Sequence, residues 1–463
     1  MKTKKSILTV LCALCLCLPC LLLTACGHEH TFSQEWSTSS TEHWHACTGE
    51  DCDEVESKGA HIASDWKVDT AATCATAGSR HKECKVCKYV METETIPATG
   101  NHTYVDGICS VCGNIEANKT AIVETNGTKK AYESFVTAIN EAPEGSTVTL
   151  LKNLELADGI TLNKNITIDF GGYELYLNQT DPAGSKGLRV GTATKKINVL
   201  LKNGTYRNSS WLIALQKQAI LTIAQDMNLV LDSTSTFGIG VIEGTTLNFY
   251  GKLSCKDGSS AYGVTTYIGD DAINATINIY AGAEIHSSLD AVVATHGTTV
   301  NVYGTLISDT QSALSGNGTA GEGNITLNIF EGALVESKTE SGIYMPNSGA
   351  LNIMGGTIKG ATAVYIKCGN VTISGGKLEA TKETYADYKY YGNGCNSTGD
   401  AIVVDACGYP GGNPTVTISG GEFVVADTTN AHKIGYYKYN GNEATLTIAP
   451  AYTNGLFTKV VNA

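Results

Sequence analysis

From residue 119 onward the chain alternates apolar and polar positions in short runs that recur at a nearly regular interval. "LNFYGKL" (247–253), "INIYAGAEI" (277–285), "VNVYGTL" (300–306), "LNIFEGAL" (327–334), "LNIMGGTI" (351–358), "VTISGGKL" (371–378) and "VTISGGEF" (416–423) align on a strand and the glycine behind it. With Gly251, Gly282, Gly304, Gly332, Gly356 and Gly376 as markers, the intervals are 31, 22, 28, 24 and 20 residues. Alternation at period two reads as strand, and a structural period in the twenties reads as a solenoid. A second run is interleaved: "YGVTTYIG", "DAVVATHG", "SALSGNG", "SGIYMPNSG", "TAVYIKCG" and "DAIVVDACG". No helical stretch separates the runs, which excludes leucine-rich and dinucleotide-binding folds. The pattern predicts an all-β, right-handed parallel β-helix of about nine to eleven coils stacked about 4.8 Å apart. Glycine would turn the corners, and Val, Ile and Leu on alternate positions would fill the bore.

One helix is predicted, near 132–142. Phe135, Ala138, Ile139 and Ala142 share a helical face that Pro143 and Gly145 terminate. It would plug the first coil, whose open strand edges otherwise invite aggregation. The text that follows, "TVTLLKNLELADGITLNKNITIDFGGYEL", resembles the opening coils of the pectin-lyase-like superfamily. The resemblance covers about residues 130 to 463 and implies the fold. It implies no single activity, because the superfamily holds polysaccharide lyases, glycoside hydrolases and surface proteins without catalysis.

Candidate chemistry in the solenoid is sparse. Glu243 in "VIEGTT", Asp270 and Asp271 in "YIGDDA", and His296 in "ATHGTT" each follow the interleaved strand, so register would bring them within one or two coil spacings. Carboxylates about 5 to 9 Å apart suit hydrolysis of a glycosidic bond. The Asp-Asp pair followed by His-Gly is similar to part of the polygalacturonase pattern, which implies Asp270 and Asp271 as acid and base with His296 in support. The chain departs from that pattern: no Asn-Thr-Asp precedes, Thr295 stands where Gly is expected, and no Arg-x-Lys follows. Nor does an arginine base stand near an Asp cluster, as a pectate lyase requires. The expectation is therefore no catalytic residue, these being solvated turn side chains. "ETYADYKYYGNGC" (383–395) lengthens one coil with Tyr385, Tyr388, Tyr390 and Tyr391. That loop is either a ligand-binding surface or a strap that packs its tyrosines back onto the solenoid.

The first 116 residues differ in kind. Three lysines precede an apolar run from Ile7 to Leu23 that closes on Leu23-Thr24-Ala25-Cys26. This reads as a secretion signal (1–25), and its end resembles the lipobox of bacterial lipoproteins. The resemblance implies a diacylated Cys26 and a mature chain on the extracellular face of a bacterial cytoplasmic membrane. Residues 26–116 hold seven of the ten histidines and seven cysteines besides Cys26. Cys84-x-x-Cys87, Cys109-x-x-Cys112 and His43-Trp-His45-x-Cys47 have the spacing of metal knuckles, in which a tight turn aims two ligands at one tetrahedral ion. These units resemble the short zinc-ribbon-like Cys/His repeats of Gram-positive surface proteins. Structural zinc is expected at His45, Cys47, Cys52 and His61, and again at Cys74, Cys84, Cys87 and His102, with Cys109 and Cys112 completing a third site. Disulfides with unligated histidines are the alternative reading.

A net charge of -13 with no basic cluster beyond the signal argues against nucleic acid as a partner. The expectation is a monomeric, lipid-anchored surface protein. Its zinc-ribbon-like module (26–116) would act as stalk, and its β-helix (117–463) would present a face for a glycan or a protein. A cell-tethered polysaccharide hydrolase or lyase is the rival.

Overall fold

The computed structural model describes residues 29–179, 187–192, 194–233, 235–266, 274–450 and 458–462. Cys26 with its signal segment, and Asp270 and Asp271, lie outside the described residues. The chain divides into two compact units, one ending at His102 and one beginning at Thr103. The hairpin that carries Cys109 therefore groups with the second unit, some way before the compositional boundary near 116.

The second unit is the solenoid. Its strands form three sheets, here A, B and C. Sheet A includes the run from Ser146–Leu150 to Thr445–Ile448, sheet B runs from Leu154–Leu156 to Glu422–Val425, and sheet C from Ile160–Leu162 to Thr458–Asn462. Each coil visits A, then B, then C, and each strand pairs in parallel with its counterpart one coil on. Sheet B has 11 strands, one per coil. The result is an all-β, right-handed parallel β-helix, the hand that parallel crossovers adopt.

The sequence motif of strand plus glycine is in fact two strands about a corner. Thr246–Phe249 lies in sheet A, Gly251 turns, and Lys252–Cys255 lies in sheet B. Close packing imposes glycine at Gly304, where a Cβ would stand 2.5 Å from the Tyr280 carbonyl oxygen, and a φ of 81° imposes it at Gly332. Leu247, Ile277, Val300, Leu327, Leu351, Val371 and Val416 stand in register and fill the bore, none more than 1% exposed. One position on, the side chains face outward. There Asn248, Asn278, Asn301, Asn328 and Asn352 form a ladder in which each Nδ2 donates to the preceding Oδ1 at 2.8 to 2.9 Å. At the next corner Tyr250, Tyr280, Tyr303 and Phe330 stack, with successive centroids 4.0, 6.3 and 4.0 Å apart.

The N-terminal plug is the helix Phe135–Glu141, whose Phe135, Ala138 and Ile139 are buried. Ser134 caps it by accepting a hydrogen bond from the Thr137 N–H. Lys164 donates to the carbonyls of Ile139, Asn140 and Ala142, placing a cation where the last turn leaves its acceptors open.

The first unit consists of two antiparallel three-stranded sheets. Ser37–Thr38, Glu42–Ala46 and Val55–Ala60 form one, and Lys67–Thr70, Gly78–Glu83 and Val90–Ile96 the other. Among its described residues only His43, Cys74, Gly78 and Cys84 are buried, and none of these is an aliphatic side chain. A fold with no apolar core needs another source of free energy.

Candidate functional site: a metal centre and a ligand groove

In the first unit, two sheets bring four ligand-type side chains together. His43 comes from the strand Glu42–Ala46, His61 from the residue after Val55–Ala60, and Cys84 and Cys87 from the turn after Gly78–Glu83. Lys88, at φ 62°, closes that turn, and its N–H donates to the Cys84 carbonyl at 3.0 Å. All four ligand atoms lie within 4.8 Å of one another. Cys84 Sγ is 3.8 Å from His43 Nδ1, and Cys87 Sγ is 3.4 Å from His61 Nδ1. Ligand atoms bound tetrahedrally at zinc lengths stand about 3.4 to 3.8 Å apart.

The surroundings prepare the ligands as well. His61 Nε2 lies 2.9 Å from the Ser39 carbonyl, which can only accept, so Nε2 carries the proton and the Nδ1 lone pair faces Cys87. Burial raises the Cys84 and Cys87 thiols; at Cys84, backbone N–H groups of Cys87, Val86 and Ile62 oppose it and bring the thiol below its ordinary value. A thiolate is the form that binds metal. The four residues can therefore hold one tetrahedral ion with no coordination position left open.

The expected groupings are thus redistributed. Cys84 and Cys87 meet His43 and His61, not Cys74 and His102. Cys47 and Cys52 form a disulfide, and His30 Nδ1 stands 3.2 Å from Cys52 Sγ. His45 belongs to no cluster: its Nδ1 approaches the Glu35 carbonyl at 3.3 Å and its ring packs on Trp36. Cys74 and His102 lie in the first unit, Cys109 and Cys112 in the second. Sequence spacing exposes the Cys-x-x-Cys turn and marks His43 within the His43-Trp-His45-x-Cys47 run, but the ligand expected from that run was His45, and only the pairing of the strands brings His43 to Cys84.

In the second unit, a groove of about 920 Å³ runs along the outer face of sheet C. Register explains it. Thr265, Val293, Ser315 and Tyr344 occupy one outward position on four successive coils. The first three are small and form a floor two strand spacings long, about 10 Å. Phe237 and Tyr262, whose rings stack at 5.6 Å, wall one end. Tyr344, Tyr409 and the loop tyrosines Tyr390 and Tyr391 line the other.

Both readings of that loop hold, for different residues. Tyr388 donates to Asp405 Oδ1 at 2.7 Å and stacks on Tyr437, and Tyr385 meets the Tyr437 hydroxyl. These two strap the loop down, which is why Thr362–Ile366 and Ile402–Ala406 are buried on both faces. Tyr390 and Tyr391 stay 44% and 57% exposed and line the groove, one face of Tyr390 stacking on Tyr439 at 3.8 Å. Lys367, fully buried, fixes the strap by donating to the Tyr391 carbonyl and lying 3.9 Å from Asp405.

Two carboxylates line the groove, and neither stood out in the sequence: Asp290 and Glu340. Burial pushes the Asp290 carboxyl up to about 7; a Ser315 hydrogen bond partly offsets this, and the charge of Glu340 adds to it. Glu340 accepts from the Cys395 thiol at 3.4 Å. Of the four acid/base candidates read from sequence, Glu243 is a surface residue paired with Lys217, and His296 hydrogen-bonds Thr295; neither lines the groove. Cys255, Cys368, Cys395 and Cys407 are thiols. Comparison with protein-family models, with curated proteins and with solved structures finds no match to this chain.

Proposed function

We propose that this chain is a lipid-anchored surface protein in which a zinc-stapled module carries a glycan-binding β-helix. The observation that carries the reading is the groove: six aromatic side chains (Phe237, Tyr262, Tyr344, Tyr390, Tyr391 and Tyr409) about a floor of small residues. Ligand sites are concave, rich in aromatic surface and provided with a few oriented polar groups, and tyrosine offers a flat apolar face with a hydroxyl at its rim. The ligand is a short stretch of polysaccharide lying along the coil axis. Zinc is the metal that a closed site of two thiolates and two imidazoles favours, and its role there is structural. Cys26, acylated, would hold the protein at the outer face of the cytoplasmic membrane.

A second reading, hydrolysis, is favoured by one observation: Asp290 keeps its proton to about pH 7 in the same groove as Glu340, as a general acid beside a base would. One experiment addresses both. The zinc-loaded chain from residue 27 is applied to a glycan array, and the glycans it retains are then assayed for release of reducing ends. Retention without release is the expected result. Release that disappears in Asp290→Asn would replace binding by hydrolysis, and no retained glycan would remove both.

A further inference from the structure

The groove is charged with one sign only. Among its described lining residues are two carboxylates, Asp290 and Glu340, and no Lys, Arg or His. Lys367, behind the lining residue Tyr409, is buried, packs its Nζ 4.7 Å from the Tyr409 ring centroid and is paired with Asp405. An acidic sugar entering here would bring its carboxylate to that of Glu340 with no counter-cation among the described lining residues to receive it, and like charges brought together oppose binding.

We infer that the groove selects an amino sugar, an oligosaccharide whose rings carry free ammonium groups, over uronate and N-acetylated glycans of the same length. This rests on the glycan-binding reading and specifies its ligand. Glu340 sits at the aromatic end of the groove, beside Tyr344 and the 390–395 segment. Its carboxylate has a weak thiol donor, Cys395, as its hydrogen-bond partner, so a ligand ammonium would gain a charge-assisted hydrogen bond there. Tyr391, 57% exposed, adds a ring face that attracts the same cation. Acetylation removes the charge and leaves the ring, so a neutral oligomer keeps the stacking and loses both ionic contributions.

The test is titration calorimetry on the zinc-loaded chain from residue 27 with three tetrasaccharides: glucosamine, N-acetylglucosamine and galacturonate. The glucosamine oligomer should bind at least about tenfold more tightly than its acetylated form, and galacturonate should not bind. Glu340→Gln should narrow the difference, lowering glucosamine affinity more than that of the acetylated oligomer; an unchanged ratio would remove Glu340 from the selection. On the unmodified protein, raising the salt concentration should weaken glucosamine binding alone. Equal binding of the first two oligomers, or binding of galacturonate, overturns the selection and leaves a glycan-binding groove. A protein that binds none of the three, and nothing on the array, loses both.

Discussion

Replacing Cys84 by serine tests the claim that metal, not packing, folds the first unit. Cys84 is fully buried, and with His43 it makes up half of the four buried positions there. With no aliphatic core to fall back on, the unit's stability on the proposed reading would be essentially the free energy of the metal site. Zinc in a four-ligand structural site is worth about 10 to 16 kcal/mol near neutral pH, as much as a whole domain's net stability of about 5 to 15 kcal/mol. A serine in place of a thiolate ligand should therefore unfold the unit. The control is Cys47→Ser, which opens a disulfide spanning a sequence separation of 5. Closing so short a loop restricts the unfolded chain by only about 2 kcal/mol, so this variant should stay folded and melt earlier. The assay is zinc content by elemental analysis together with amide dispersion in a two-dimensional NMR spectrum, on the whole chain from residue 27. In Cys84→Ser, resonances of residues 29–102 should collapse while those of the β-helix persist, and chelator should do the same to the unmodified protein. Dispersed resonances with no zinc bound, or equal damage from Cys47→Ser, would refute the argument.

Other expectations can be checked separately. The Asp290 carboxyl holds its proton to about pH 7 in the folded state and releases it near 4 when unfolded, so the folded state carries the extra proton between those values. Stability should fall as pH rises from 4 to 7 and then level off; Asp290→Asn should flatten this slope and gain a few kcal/mol at pH 8 in denaturant titrations, and parallel profiles would disprove it. Lys367→Met leaves Asp405 without its buried cation and frees the Tyr391 carbonyl, at a cost of about 3 to 5 kcal/mol; limited proteolysis should then cut within 388–394, and an uncut loop would refute the strap. Cys26→Ala should abolish lipid labelling and release the protein from the membrane fraction, whereas a correctly cleaved variant that stays membrane-bound would reject the anchor.

The solenoid was legible because its physics is local and repeated. Alternation at period two fixes which side of each strand is buried, and the same string recurring every coil puts like on like. Hence Leu247 to Val416 stack in the bore, and the asparagine of "LNFY", "INIY", "VNVY", "LNIF" and "LNIM" falls on an outward ladder. The capping helix was legible for a related reason: Phe135, Ala138, Ile139 and Ala142, with the stop at Pro143 and Gly145, are close neighbours along the chain, so the whole signal is local.

What escaped the sequence depends on distance along the chain. Cys84 lies 41 residues from its partner His43, and Cys87 lies 26 from His61. Composition marked the cluster as metal-binding, yet only strand pairing decides which histidine arrives, and a shift of two along the strand exchanges His43 for His45. The groove is harder still, since it arises from an interruption of the repeat. Where sheet C carries Tyr344, Tyr365 and Val403 outward on successive coils, these large side chains are roofed by the inserted loop. Where the same column carries Thr265, Val293 and Ser315, no described residue fills the space above it, and Asp290 at the strand's entry faces that space. A run of small residues reads as nothing in a linear scan. It becomes a site once the register sets three of them side by side between two aromatic walls, and that is why the acids worth mutating are Asp290 and Glu340 and not the turn residues Glu243 and His296.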